Sequence, residues 1–330
     1  MFNRRTALSV LSGGLLATAA ASVVLAAAPL RGEIKIAGSS TVGPITQAIM
    51  EEFNKEQPDV RVSNAITGTG GGFKKFTVGE TDLSNASRPI KGSEAEAATS
   101  NGIEFIELPV AYDGLTIVVN HDNTWCDDLT VDELRKIFLS DSKVKNWSDI
   151  RAGWPSIPVK MYIPGTDSGT FDYFKEVVAE KDGSIRSDVT VSEDDNVLVR
   201  GVAGEKGGIG FFGCAYYFEN IDKVKAVAID EGDGAVMPTT TTIENGTYAP
   251  FSRPLFVYVN KRSAARPEVK AFVEYYLEHA GDMAEEVGYV RLPKDIYNKA
   301  RRNFMKGKTG SCYLDASGKS LHGSITELYQ

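Results

Sequence analysis

The chain has 330 residues, 42% hydrophobic and 24% charged, which is the balance of a globular chain with room for one large domain or two ordinary ones. A formal net charge of −8 leaves no broad positive field and excludes a general role on nucleic acid or anionic membranes. It also mildly repels small anions, so an anion site here must work through short-range donors; salt screens the global term over roughly 8 Å.

Arg4 and Arg5 head an apolar, charge-free stretch over residues 8–28, with small residues Ala26 and Ala28 ahead of Pro29. This predicts a secretory signal peptide over residues 1–30 and a periplasmic destination. The run is also about long enough to span a membrane, but its Ala, Gly and Ser content and its small-residue end favour cleavage. The Arg pair permits twin-arginine as well as general export. No Cys follows the run, so a lipid anchor is not expected.

Beyond the leader, strands and helices alternate. Residues 34–37 form a short apolar strand. Ile45, Ala48, Ile49 and Phe53 then recur at helical spacing, with Pro44 in the first turn and Pro58 closing the run. Val60 and Val62 alternate as in a strand, and residues 73–78 read as a helix. Residues 116–120 carry a buried strand. Thr130 and Glu133 form a capping box, with Leu129 and Leu134 at the staple positions. Residues 159–163 are a strand, Phe171, Phe174 and Val178 mark the next helix face, and residues 209–212 and 255–260 are further strands. Pro267 opens a helix through Glu278 that Gly281 can close. This alternation predicts α/β layers with mostly parallel sheets. No fixed-period repeat or long linker interrupts it, and residues 232–246 are the loosest segment. Two lobes joined by crossing strands fit better than two domains in series.

One local arrangement occurs three times: a strand, a Ser/Thr/Gly loop, then a helix. The loops are residues 38–42, 67–72 and 165–170. Each leaves the first amides of its helix unpaired, adds hydroxyl donors, and places them at a positive helix end. In α/β sheets such loops gather at the carboxyl ends of strands. A single loop of this kind is usually only an N-cap; three in one chain predict an oxyanion site. Arg88, between Ser87 and Pro89, is the expected cation, because its planar fork suits a tetrahedral oxyanion. A micromolar site needs about 8 kcal/mol net, which eight to ten donors at roughly 1.5–3 kcal/mol for each charge-assisted bond can supply after desolvation.

Enzyme patterns fail at named residues. Phe73 stands where both the P-loop and the dinucleotide fingerprint need Gly. Asp167-Ser168-Gly169 has no base in a recognisable partner motif, since His121, His279 and His322 are scattered. No Cys or His cluster has zinc spacing. No catalytic residue, metal or cofactor is expected. Cys126, Cys214 and Cys312 allow at most one internal disulfide, of undetermined pairing.

Gly-Ser-Ser-Thr-Val at 38–42, Thr-Gly-Thr-Gly-Gly-Gly-Phe at 67–73, Ala-Ser-Arg-Pro at 86–89 and Asp-Ser-Gly-Thr-Phe at 167–171 occur in one order. Together they resemble the phosphate-binding component of the high-affinity phosphate ABC transporter, over about residues 33–330. The resemblance implies a type II periplasmic-binding-protein fold, two α/β lobes joined by two crossing strands near residues 110–115 and 252–257. One lobe would be 33–112 plus 252–330, the other 113–251. It implies inorganic phosphate as ligand, a membrane permease and its ATPase as partners, and a monomer that contacts no nucleic acid.

Carried over by motif, the phosphate donors are Ser40, Thr41 and Val42, then Thr69, then Ser168, Gly169 and Thr170, with Ser87 and Arg88 in the fourth segment. The chain departs from well-known members, which have an Asp where Ser87 stands and an Arg where Pro164 stands. Arg88 would replace the cation. Asp167 or Asp113 would replace the carboxylate that accepts the proton phosphate keeps and sulfate lacks. Another tetrahedral oxyanion, sulfate or molybdate, is the alternative ligand. A secreted phosphatase would need a metal cluster or a nucleophile–base pair, and a sensor or adhesion module would need additional domains.

Overall fold

The computed structural model describes residues 30–330 except 167, 180–182, 193 and 322. The expected signal peptide and Asp167 therefore lie outside the described residues. The chain runs β1 (Gly32–Gly38), α1 (Gly43–Glu56), β2 (Val60–Ile66), α2 (Gly68–Phe76), β3 (Leu83–Ala86), α3 (Gly92–Ser100) and β4 (Phe105–Asn120). There follow β5 (Asp128–Thr130), α4 (Val131–Phe138), β6 (Lys160–Pro164), α5 (Gly169–Val178), β7 (Thr190–Ser192), α6 (Asp195–Gly204) and β8 (Gly208–Gly213). The remainder is α7 (Cys214–Glu219), β9 (Val224–Ala226), β10 (Ala228–Asp230), α8 (Thr240–Glu244), β11 (Ser252–Asn260), α9 (Pro267–Glu286), α10 (Lys294–Lys306) and α11 (Ile325–Leu328).

Strand order in the main sheet is β2-β1-β3-β11-β4-β8-β6-β7, with β9 also on β4. The long strand β4 changes partners part-way. Its first portion pairs with β11 as far as Gly114, and from Leu115 it pairs with β8. The sheet thus has two halves, and β4 and β11 carry the chain between them. Pairing is parallel within each half, β2-β1-β3 and β7-β6-β8, as the alternation predicts. It is antiparallel wherever β4 or β11 takes part in the main sheet, so that sheet is mixed. All 16 residues of β4 are buried. A strand covered on both faces is expected to read as an apolar run rather than an alternating one; Glu107, Pro109 and Asp113 interrupt the first part of β4, so only its end was legible as a buried strand.

Local chemistry sets the ends of the elements. Thr130 Oγ1 accepts from the Glu133 amide at 3.1 Å and Glu133 Oε2 accepts from the Thr130 amide at 2.9 Å, the capping box expected at α4. On α1, Phe53 meets Phe272 of α9 edge to face at 5.2 Å. Two helices differ from expectation. α2 begins at Gly68, not at residue 73, so the glycine run lies inside the helix. Packing overrides poor helix propensity there: a Cβ on Gly72 would stand 2.6 Å from the Gly38 Cα, so only glycine lets α2 lie on β1. α9 runs on to Glu286 past Gly281, whose bare face abuts the Tyr297 ring.

Candidate functional site

The first loop and the start of α5 meet across the two halves of the sheet. A Cβ on Gly169 would stand 2.7 Å from the Thr41 Cα, closer than ordinary van der Waals contact allows. Beside this contact Ser40 Oγ donates to Asp172 Oδ2 on α5 at 3.0 Å. The Thr41 and Val42 amides point at Ser39 Oγ, at 3.1 and 3.4 Å. Ser168 is the N-cap of α5, its Oγ accepting from the Thr170 amide at 3.2 Å. Thr69 and Ser87 form a second group: their hydroxyls are 3.0 Å apart, and Thr69 Oγ1 accepts from the Ser87 amide at 3.1 Å.

The cation at the meeting point is Arg253, which the sequence reading did not nominate. Register places Arg253 of β11 opposite Asp113 of β4. Its Nε donates to Asp113 Oδ2 at 3.2 Å, its Nη2 to Thr41 Oγ1 at 3.2 Å and its Nη1 to Glu176 Oε2 at 3.1 Å. The guanidinium lies over the Tyr173 ring, 3.5 Å from its centroid, and the Tyr173 hydroxyl donates to the Pro250 carbonyl at 2.7 Å. One side chain thus touches the first loop, a crossing strand and α5.

Asp113 has no exposed surface, and its Oδ1 meets no hydrogen-bonding group of the protein. Burial pushes its carboxyl above the usual carboxylate range, and the charge and hydrogen bond of Arg253 offset only part of that. A buried carboxylate beside one cation, with a free oxygen, is a natural acceptor for a proton on a ligand.

Arg88 is placed differently from expectation. Its Nη1 and Nη2 donate to Glu94 Oε2 and Oε1 at 2.9 and 2.8 Å, and Nη1 also donates to the Pro89 carbonyl at 3.0 Å. Burial alone would raise the Glu94 carboxyl, but the bonds from Arg88 and from the Lys91 amide outweigh it and hold the group below its ordinary value. The Arg88 fork is therefore spent on a carboxylate that begins α3. The local sequence does not separate the two arginines: Ser-Arg-Pro occurs at 87–89 and again at 252–254. What distinguishes them is the strand register that sets Arg253 against Asp113.

Of the expected site residues, then, Ser40, Thr41 and Gly169 lie at the junction, Asp113 reaches it through Arg253, and Val42, Ser168 and Thr170 border it. Thr69 and Ser87 bond each other, and Arg88 is turned to Glu94. Among the described residues no group of three or more His, Cys, Asp or Glu side chains could hold a metal ion. Cys126, Cys214 and Cys312 are free thiols.

Comparison with known proteins follows the same lines. Residues 24–279 match the PBP superfamily domain. Protein SphX of Synechococcus elongatus is 49% identical over 293 residues, covering 88% of this chain and 86% of that protein. The phosphate-binding protein PstS of Staphylococcus saprophyticus is 43% identical over 270 residues, 81% of this chain and 83% of that one. The crystal structure of a possible phosphate-binding protein from Planctomyces limnophilus superposes with a TM-score of 0.82 at 46% identity, covering 84% of this chain and 99% of its own. With sequence and topology in agreement, the chain belongs to the PBP superfamily, with the type II fold, and within it to the family of PstS phosphate-binding proteins.

Proposed function

We propose that this protein is an extracytoplasmic receptor that captures inorganic phosphate between two lobes and delivers it to the permease and ATPase of an ABC transporter. The lobes are 33–112 with 252–330 and 113–251, and the receptor is an exported, periplasmic monomer. It binds and does no chemistry. Membership of the PstS family supports the ligand. The observation that carries the reading is the Arg253 guanidinium, bonded at once to Asp113, Thr41 and Glu176 beside the start of α5.

In this reading Arg253, the Thr41 hydroxyl and the amides and hydroxyls around Ser168, Gly169 and Thr170 donate to phosphate oxygens. Ser40, Val42, Thr69 and Ser87 line the site. Asp113 Oδ1 accepts the proton that phosphate retains at neutral pH. Sulfate has none to give, so two acceptors would face each other in a buried place, and the site rejects it. The Ser40–Asp172 bond holds the lobes together once they have closed. Arg88 acts at one remove, bracing the 86–94 segment through Glu94.

Competition calorimetry on the mature chain tests this. One phosphate should bind per chain at micromolar affinity or better, with sulfate failing to displace it. Tighter binding of sulfate or molybdate would overturn the ligand assignment, and sustained turnover of a chromogenic phosphoester would overturn the non-enzymatic one.

A further inference from the structure

All the N–H bonds of a guanidinium lie in one plane. In Arg253 the Nε–H goes to Asp113, one Nη2–H to Thr41 and one Nη1–H to Glu176. One hydrogen on each Nη is then left without an acceptor among the described residues. These two point wherever the plane points, so whatever fixes the plane decides whether they reach a ligand.

Tyr173 of α5 is placed to do this. The guanidinium carbon stands 3.5 Å from the centroid of its ring, so the ring covers one face of the fork and leaves the edges open. Tyr173 is 4% exposed, and its ring has little room to turn away. The ring meets Phe251 edge to face at 6.3 Å, and its hydroxyl donates to the Pro250 carbonyl at 2.7 Å. Burial pushes the phenol well above its ordinary value, so the hydroxyl keeps its proton for that bond. Pro250 and Arg253 bracket the lead into β11, and one α5 side chain therefore grips this stretch at both ends. Glu176 adds less: its side chain is 66% exposed, and an ion pair so open to water holds weakly. Toward the first loop Arg253 makes a single bond, from Nη2 to Thr41 at 3.2 Å.

We propose that Tyr173 is a positioning residue that ties Arg253 to α5, so that the guanidinium and the donors at Ser168, Gly169 and Thr170 form one preassembled half of the phosphate site. The first loop completes the site when it meets them. When the lobes part, the lone bond to Thr41 breaks, and Arg253 stays with α5 through the ring face, the tether to Pro250 and Glu176. An incoming anion then finds the cation already turned beside the helix start, and a long side chain need not be ordered on binding. The role rests on Arg253 serving phosphate.

NMR of the Arg253 side chain and phosphate calorimetry, both on the full mature chain, test this. In the ligand-free parent the Arg253 Nε–H signal, assigned by its loss in Arg253→Gln, should be sharp and moved upfield by the ring beneath it. Tyr173→Leu should abolish that shift and weaken phosphate about fivefold, the cost of ordering a freed long side chain. Tyr173→Phe keeps the ring face and loses only the tether, and should restore most of both. In an Arg253→Gln background Tyr173→Leu should cost nothing further, because no guanidinium is left to position. A Tyr173→Leu protein within twofold of the parent overturns the proposal, and so does an equal loss in the Arg253→Gln background, which would make Tyr173 merely structural. An unshifted Arg253 signal in the ligand-free parent overturns it as well, and decides the matter even if Tyr173→Leu does not fold. A parent that shows the shifted signal yet binds no phosphate would instead count against the receptor reading, leaving the tie between Tyr173 and Arg253 in place.

Discussion

Exchanging Arg253 for Gln and, separately, Arg88 for Gln decides which guanidinium serves the ligand. Arg253 holds three partners at 3.1–3.2 Å, Asp113 and Thr41 among them. A single charge-assisted bond from it to phosphate is worth about 1.5–3 kcal/mol, which is about a 10- to 150-fold change in Kd at 1.36 kcal/mol per decade. Arg253→Gln also leaves Asp113 without its cation. That carboxyl, already raised by burial, then loses the charge and hydrogen bond that offset part of the rise and accepts the ligand's proton less readily, so the loss should sit at the upper end of the range. Arg88→Gln removes a pair whose side chains are 26% and 19% exposed. That lies between a surface pair and a buried one, so a stability loss of about 1–2 kcal/mol is expected with phosphate Kd within about threefold of the parent. Phosphate calorimetry at fixed ionic strength, with ligand-free thermal melts of both variants, reads out the two effects. An Arg253→Gln protein that binds within threefold of the parent, beside an Arg88→Gln protein that loses an order of magnitude, would refute the reasoning.

Asp113→Asn should narrow the preference for phosphate over sulfate at neutral pH, because an amide can donate where the carboxylate only accepts; competition titration measures the ratio, and an unchanged ratio removes Asp113 from the selectivity role. Gly169→Ala puts a methyl 2.7 Å from the Thr41 Cα. Overpacking of about 1–3 kcal/mol that acts only when these two loops meet should weaken phosphate about 5- to 150-fold and leave the ligand-free melt nearly unchanged. Glu107 is 3% exposed, and burial raises its carboxyl, although Ser311, the Cys312 amide and Tyr258 bond it and offset part of the rise. The native state therefore keeps this proton to higher pH than the unfolded chain does. The stabilisation is complete below the unfolded value of about 4.3 and is lost as pH rises toward the folded value. Relative to Glu107→Gln, the parent should lose melting temperature from about pH 4.5 toward neutral, and parallel profiles would show that Glu107 does not titrate this way.

How much of this was legible beforehand depends on the range of the signal. The capping box at Thr130 and Glu133 and the helix face at Ile45, Ile49 and Phe53 are written within a few residues, and the structure has them where the spacing puts them. The glycine run misled, because a breaker composition reads as loop until the neighbour is known. Gly72 is helical on account of Gly38, a residue far away in sequence. The same limit governs the site. Arg88 and Arg253 stand in identical tripeptides, and choosing between them requires knowing that Glu94 waits one helical turn into α3 for the first and that Asp113 lies across the ribbon from the second. Asp113 was a candidate by chemistry, and only its burial and its unsatisfied Oδ1 set it apart from other carboxylates.

The route of the chain between the two sheet halves bears on how the molecule is made. β3 cannot close its edge until β11 arrives, since Asn85 pairs with Val257 and Ala86 with Phe256, and α1 has no cover on its Phe53 side before Phe272 is synthesised. Early segments must therefore wait, unpaired, while the whole intervening half emerges. Long-range pairing of this kind slows folding, and a nascent polypeptide that stays open until almost its last stretch is one that a translocation channel can still thread.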